Sequence, residues 1–82
     1  MSSLAKLRWQ CRRGTVELDL LLSRYLEEGF SSASADEQAA FVELLSLEDD
    51  RLLSLLFGVR EPDTRIQAEL IGRIHRIAQP QS

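Results

Sequence analysis

The stretch CRRGTVELDLLL, residues 11–22, decides the fold because it contains both a chain reversal and the start of a core helix. Gly14 tolerates the left-handed backbone conformation and predicts the end of a first helix, on which Leu4, Leu7 and Cys11 share one face. Thr15 is the predicted N-cap of a second helix. The apolar residues of that helix have the i, i+3, i+4, i+7 spacing of a core-facing stripe: Leu18, Leu21, Leu22, Tyr25 and Leu26.

Two further helices follow after Gly29, which marks the predicted end of the second. Ser34 and Glu37 have the spacing of a capping box and predict the start of a third helix. Ser46 and Asp49 repeat that spacing before a short fourth helix that ends at Gly58. The predicted apolar stripes of these two helices are Ala40, Phe41, Leu44 and Leu45, then Leu52, Leu53, Leu56 and Phe57.

A fifth amphipathic helix is predicted between Pro62, in its first turn, and Pro80. No alternating β-branched run predicts a strand. We therefore expect an all-α fold, a compact single-domain bundle of five short helices over residues 1–82, with flexible tails at 1–3 and 79–82.

The composition excludes several classes of protein. An 82-residue chain with 44% hydrophobic and 28% charged residues forms one soluble domain with little interior for a substrate cavity. The single cysteine, Cys11, forms no intramolecular disulfide, and no metal-ligand spacing accompanies it. No apolar run predicts a signal peptide or a membrane span. His75 is expected to be solvated, without a catalytic partner. We predict no enzymatic activity, no metal site and no membrane insertion.

Charge is unevenly distributed along the chain. Residues 1–16 carry four basic side chains and no acid, whereas residues 17–50 carry ten acids and one base, Arg24. Nucleic acid is disfavoured as a partner, because the acidic body would repel a duplex. Trp9 stands among the basic residues, and its position suits either a contact anchor or core packing.

Arg13 and Glu17 flank the predicted turn at Gly14, so both charges are expected at one corner of the bundle. Two interpretations remain open at this point. The two side chains could pair with each other across the turn, which contributes less than about 1 kcal/mol when the pair is exposed. Alternatively, they could form a polar docking motif for another protein.

The sequence LRWQCRRGTVELDLLLSRYLEE resembles the opening of the succinate dehydrogenase assembly factor 2 family, whose signature is an Arg-Gly-x-x-Glu motif at the first helix junction. Here that motif is residues 13–17, and the resemblance covers about residues 5–78, including DDRLLSLLFG and the EPD turn. Two positions depart from the family pattern: Thr15 replaces the usual methionine, and Leu55 stands where many members have tryptophan.

The resemblance implies a five-helix fold and a non-catalytic assembly factor. Such a factor binds the flavoprotein subunit of succinate dehydrogenase or fumarate reductase and promotes covalent attachment of FAD to a histidine of that subunit. It binds no cofactor stably itself and acts on the FAD that the partner carries. We expect a monomer, with a dimer as the alternative, in the bacterial cytoplasm, or in the mitochondrial matrix if the chain is a processed form.

The same resemblance assigns partner binding to one set of residues at the first helix junction. They are Arg8, Trp9, Arg12, Arg13, Gly14, Glu17 and Asp19. Two other functions remain as alternatives. A small regulator of the DNA-binding or toxin–antitoxin type would use the basic first helix on phosphates, and a structural helical adaptor would need only an exposed apolar patch.

Overall fold

The computed structural model of the chain describes residues 4–79, which form five α-helices and no strand. The helices are α1 (Leu4–Gln10), α2 (Val16–Glu28), α3 (Ala35–Leu45), α4 (Asp49–Leu56) and α5 (Arg65–Ala78). The predicted all-α class and the number of helices are confirmed. Within residues 4–79 every helix is too short or too polar to traverse a lipid bilayer. The predicted tail at residues 1–3 lies outside the described part of the chain, as does the predicted tail at 79–82 except for Gln79, the C-cap of α5.

The core lies where α5 packs across α2 and α3. The rings of Tyr25 and Phe41 are tilted against each other with centroids 4.7 Å apart, and Phe30 adds a second contact to Phe41 at 5.6 Å. Leucines from α2, α3 and α4 surround these rings. The fully buried aliphatic residues are Leu18, Leu22, Leu44, Leu52, Leu70 and Ile74.

The first helix ends earlier than the sequence predicts. Residue Gln10 closes α1, four positions before Gly14, so the prediction of Gly14 as its C′ residue is wrong. Leu7 and Cys11 nevertheless pack into the core as their spacing indicates. The helix stops because the chain turns away at Arg13, whose backbone N–H donates to the side chain of Asp19 instead of to a carbonyl of α1.

Two predicted capping interactions differ from the structure in their side chains. The hydroxyl of Ser34 accepts a hydrogen bond from the backbone N–H of Glu37, as predicted for the start of α3. The carboxylate of Glu37 does not return to Ser34, because it is buried and accepts a hydrogen bond from the Tyr25 hydroxyl. Ser46 is not the N-cap of α4: it is the C-cap of α3, and its hydroxyl donates to the carbonyl of Glu43 in the last turn of that helix.

The ends of α4 and α5 also differ by a few residues. Glu48 occupies the N-cap position of α4, and Phe57 at its other end is exposed instead of packed in the core. The fifth helix begins at Arg65, after Pro62, because the hydroxyl of Thr64 caps it by accepting from the backbone N–H of Gln67.

Two residues of the last helix, Arg73 and His75, make polar contacts with its neighbours. His75 is half-buried, which differs from the solvated position expected, and its Nε2 bonds to the carbonyl of Leu56. Since a carbonyl oxygen only accepts, Nε2 carries the proton in this contact. Arg73 pairs with Glu37 across 3.3 Å and donates to the carbonyl of Gly29 across 3.4 Å. These bonds fix α5 to the ends of α2, α3 and α4.

Burial raises the pKa of the Tyr25 phenol, and the hydrogen bond to Glu37 and the charge of Glu37 raise it further, while Arg73 lowers it. The Arg73 guanidinium also lies 6.0 Å from the centroid of the Tyr25 ring. A neutral hydroxyl is therefore preferred at this position, because it can donate to a carboxylate that has few other partners.

Gly29 allows α2 and α5 to approach closely. A Cβ atom at Gly29 would lie 2.5 Å from Cδ1 of Ile77 and 3.1 Å from the ring of Tyr25. The φ angle of Gly29 is −122°, so its backbone conformation is one that any residue adopts. Glycine is required here for space, not for conformation.

We predict that Gly29→Ala lowers the free energy of unfolding by about 1–2 kcal/mol, because the new methyl group overpacks the junction of α2 and α5. Gly72→Ala is the matched control. Gly72 lies inside α5 with no atom within 4 Å of a Cβ built on it, so alanine there should stabilise by about 0.5–1 kcal/mol through helix propensity. Urea unfolding followed by circular dichroism measures both changes. If both substitutions changed the free energy of unfolding in the same direction, the close packing assigned to Gly29 would be contradicted.

We also predict that the chain loses stability as the pH rises above 10, the ordinary pKa of tyrosine. The folded chain holds the Tyr25 proton while the unfolded chain releases it, so this contribution is fully present below pH 10 and is lost above it. Absorbance at 295 nm reports a single group, because the chain has one tyrosine.

The absorbance change should coincide with alkaline unfolding, and Tyr25→Phe should make the free energy of unfolding less dependent on pH in that range. A tyrosine that ionised near pH 10 while near-ultraviolet circular dichroism remained native would contradict this prediction.

Candidate functional site

The turn between α1 and α2 is held by a glycine and a carboxylate. Gly14 has a φ of +84°, which confirms the left-handed conformation predicted for it. A Cβ at Gly14 would meet nothing within 4 Å, so glycine is needed here for conformation and not for space. The Oδ1 atom of Asp19 accepts from the backbone N–H of Arg13 across 2.6 Å. Thr15 occupies the predicted N-cap position, but its side chain makes no capping bond.

The side chain of Arg13 points into the protein. Its Nη1 donates to the carbonyl of Leu47 across 3.1 Å and to Oδ1 of Asp49 across 3.2 Å, and its Nη2 donates to the carbonyl of Leu45. Only 14% of the side chain is exposed, and its Nε atom is buried without a hydrogen-bond partner. Arg13 therefore binds the α1–α2 turn to the loop between α3 and α4.

Glu17 lies one helical turn after Gly14 and faces solvent. The ion-pair partner of Arg13 is Asp49, so the pairing of Arg13 with Glu17 considered from the sequence is wrong. Within residues 4–79 the carboxylate of Glu17 has neither a hydrogen bond nor an ion pair. The neighbouring Val16 is 85% exposed. The first turn of α2 thus presents a free carboxylate beside an uncovered apolar side chain.

Trp9 is the most conspicuous exposed side chain of α1. It is 71% exposed, which excludes the core-packing interpretation. Arg8 and Arg12 are also exposed and share a hollow of about 270 Å³ with Trp9. A second hollow of about 200 Å³ joins Trp9 to Arg13 and Leu45. The indole therefore lies beside Arg8 and Arg12 and close to Leu45 at the end of α3.

The seven residues assigned to partner binding thus occupy one end of the bundle but have two kinds of environment. Arg8, Trp9, Arg12 and Glu17 face solvent. Gly14 is exposed in the turn, while Arg13 and Asp19 use their polar atoms within the fold. We call the four solvent-facing side chains the corner surface.

The sequence did not indicate that the α3–α4 loop belongs to this region. Leu45, Leu47 and Asp49 bind Arg13 from more than thirty positions along the chain. No spacing rule connects them to Arg13, and the spacing of Asp49 from Ser46 predicts only the start of α4. The only indication in the sequence is that Arg13 lies two positions after Cys11, a residue expected in the core. A guanidinium close to the core needs hydrogen-bond acceptors nearby.

Cys11 lies at the inner side of the turn and is fully buried. The pKa of its thiol is raised to about 11, chiefly by burial. The charge of Arg13 lowers this pKa by a smaller amount, and the charge of Asp19 raises it slightly further. The thiol is therefore protonated at neutral pH, which agrees with the role of a small core residue. Within residues 4–79 no three side chains of histidine, cysteine, aspartate or glutamate form a group suited to a metal ion.

Comparison with known proteins identifies the family. The family described as the flavinator of succinate dehydrogenase matches residues 5–78 of this chain. The FAD assembly factor SdhE of Coxiella burnetii is 38% identical over 73 residues, which cover 89% of each chain. The protein of the same name from Methylococcus capsulatus is 35% identical over 77 residues, covering 94% of this chain and 93% of its own length.

A third relative is similar over a slightly shorter part of the chain. The FAD assembly factor SdhE of Aliivibrio fischeri is 34% identical over 70 residues, which cover 85% of this chain and 81% of that protein. The similarity thus spans nearly the whole helical bundle and includes the turn, the corner surface and the α3–α4 loop. The chain belongs to the Sdh5 family, the flavinators of succinate dehydrogenase.

Proposed function

We propose that this chain is an FAD assembly factor that binds the flavoprotein subunit of succinate dehydrogenase, or of fumarate reductase, and promotes covalent attachment of FAD to it. Membership of the Sdh5 family and the names of the relatives support the assembly role. The observation that carries the docking assignment is the corner surface, where Glu17 is exposed in the first turn of α2 and has no ion-pair partner among residues 4–79. The relatives come from bacteria, which supports a cytoplasmic location.

The dimensions of this region favour an indirect action on the flavin. The two hollows beside Trp9 have volumes of about 200 and 270 Å³, below the roughly 300–1,000 Å³ of ordinary ligand sites. We propose that FAD stays in the partner and supplies the electrophilic carbon that the partner's histidine attacks. This chain would act without catalytic residues of its own, by holding the flavoprotein in the conformation that brings the two groups together.

Each residue of the corner surface has chemistry suited to a protein partner. A tryptophan flanked by arginines is typical of the residues that dominate binding energy at interfaces. Glu17 can accept charge-assisted hydrogen bonds, and its carboxylate forms no ion pair with another residue of the described range 4–79. The partner surface that fits is therefore one that offers a slot for the indole, carboxylates for Arg8 and Arg12, and a donor for Glu17.

We predict that Glu17→Ala reduces covalent flavin on the partner by about ten-fold or more, the effect of losing a contact worth roughly 2 kcal/mol at an interface. The measurement is in-gel flavin fluorescence of the denatured flavoprotein subunit, produced with each variant. Loss of the acid from the first turn of α2 should cost less than about 1 kcal/mol of stability, so thermal melting should show a folded chain.

Glu27→Ala is the matched control, because Glu27 is exposed in the last turn of the same helix. It should leave flavin fluorescence at the wild-type value. Undiminished fluorescence with folded Glu17→Ala would show that Glu17 is not a docking contact.

We predict, second, that association depends on salt through Arg8 and Arg12. Replacing both by alanine should lower the association rate about two- to ten-fold at low ionic strength and reduce its dependence on salt, because exposed charges chiefly steer encounter. Stopped-flow mixing with the flavoprotein, followed by Trp9 fluorescence, measures the rate.

Arg76→Ala is the control for net charge. Arg76 is exposed in the last turn of α5, and its neighbour Ile77 contacts Gly29 at the end of α2 opposite to Glu17. An equal decrease of the rate in Arg76→Ala would mean that the overall charge, and not the corner surface, steers the encounter.

A further inference from the structure

We infer that Asp49 is a positioning residue for the corner surface: through its ion pair with Arg13 it fixes the α1–α2 turn from which Glu17 projects. This inference rests on the proposed function for its effect on flavin attachment. The part of the inference that concerns the conformation of the turn involves this chain alone. Asp49 lies in the first turn of α4, 36 positions after Arg13 in the sequence.

The first step of the argument is the number of bonds that converge on Arg13. Its guanidinium has three acceptors, and all three belong to the segment from the end of α3 to the start of α4. Two of them are backbone carbonyls, which carry no net charge. Asp49 supplies the only carboxylate among them, so it is the group that neutralises the cation in its largely buried position.

The second step concerns what Arg13 holds in turn. Its backbone N–H donates to Asp19, and the backbone N–H of Asp19 donates to the carbonyl of Thr15 across 2.8 Å. The residue after Arg13 is Gly14, whose left-handed conformation an unrestrained glycine readily leaves. A displaced guanidinium would therefore release the turn and, with it, the first turn of α2, which carries Glu17.

The third step is that Asp49 itself is poorly placed to contact a partner's cation while it serves Arg13. Its side chain is 51% exposed, yet its Oδ1 atom is already bonded to Nη1 of Arg13. Trp9 and Leu45 line the same hollow as Arg13. The α3–α4 loop thus supports the corner surface, and Asp49 acts on that surface through its bond to Arg13.

The chain offers a closely matched pair of variants. Asp49→Asn retains the shape of the side chain and an oxygen acceptor but removes the charge. Asp50→Asn makes the same change one residue further in the same first turn, where Oδ1 bonds only to the backbone N–H of Arg51. Both variants lose the same favourable charge at a helix start, so their difference isolates the bond to Arg13.

The first readout is hydrogen exchange of the Arg13 amide, measured by NMR on the free chain. Because a partly exposed ion pair is weak, we expect Asp49→Asn to accelerate this exchange about two- to five-fold and Asp50→Asn to leave it unchanged. Asp49→Glu, which keeps the charge, should restore much of the protection. Equal exchange in Asp49→Asn and Asp50→Asn would overturn the inference.

The second readout is flavin attachment as a function of the concentration of this chain. For Asp49→Asn we expect the half-maximal concentration to rise about two- to five-fold with an unchanged maximal rate, since the contact surface is intact and only its preorganisation is lost. Combining Asp49→Asn with Glu17→Ala should add no further loss, because the two residues act on one contact.

The two readouts separate the inference from the function on which it rests. If the wild-type chain does not stimulate flavin attachment, the proposed function fails, while the exchange of the Arg13 amide still decides whether Asp49 holds the turn. A loss in Asp49→Asn that is fully additive with Glu17→Ala would overturn the positioning role.

Discussion

The buried guanidinium of Arg13 is the constraint on which the arrangement of this end of the bundle depends. A cation that is only 14% exposed needs acceptors within the fold, since burial without them costs several kcal/mol. Leu45 supplies a carbonyl from the last turn of α3, where helical C=O groups lack helical partners, and Leu47 supplies one from the loop that follows. The side chain of Arg13 thus finds acceptors for its charged groups and at the same time donates hydrogen bonds to two otherwise free carbonyls. The α1–α2 turn and the α3–α4 loop are therefore held together.

The parts of the fold that could be predicted from the sequence are those that depend on near neighbours. The stripe of α2 from Leu18 to Leu26, the capping hydroxyl of Ser34 and the positive φ of Gly14 all follow from spacing or from the chemistry of one residue. The five helices and their order follow in the same way. The exposed position of Glu17 was also predictable, because it falls outside the apolar stripe that begins at Leu18.

The remainder depended on distant partners. Glu37 has the spacing of a capping box, yet its carboxylate serves Tyr25 and Arg73, which come from other helices. Asp49 has the position of a helix-start acid, yet it neutralises Arg13. In each case the local rule predicted the helix correctly but did not predict the bonding partner of the carboxylate. A carboxylate near a helix start is worth about 0.3–1 kcal/mol there, so a buried cation easily outweighs that preference.

The same reasoning explains why the three defined positions of the Arg-Gly-x-x-Glu motif belong together although their side chains go in different directions. Gly14 reverses the chain, and the reversal turns Arg13 toward the body of the protein. Glu17 follows by one helical turn and faces outward, at a point whose position Arg13 has already fixed. An offset of three positions from glycine to glutamate places the carboxylate on the first turn of α2, where Asp19 bonds both to the carbonyl of Thr15 and to the backbone N–H of Arg13. Rigid presentation of one exposed charge thus requires an arginine that is itself largely hidden.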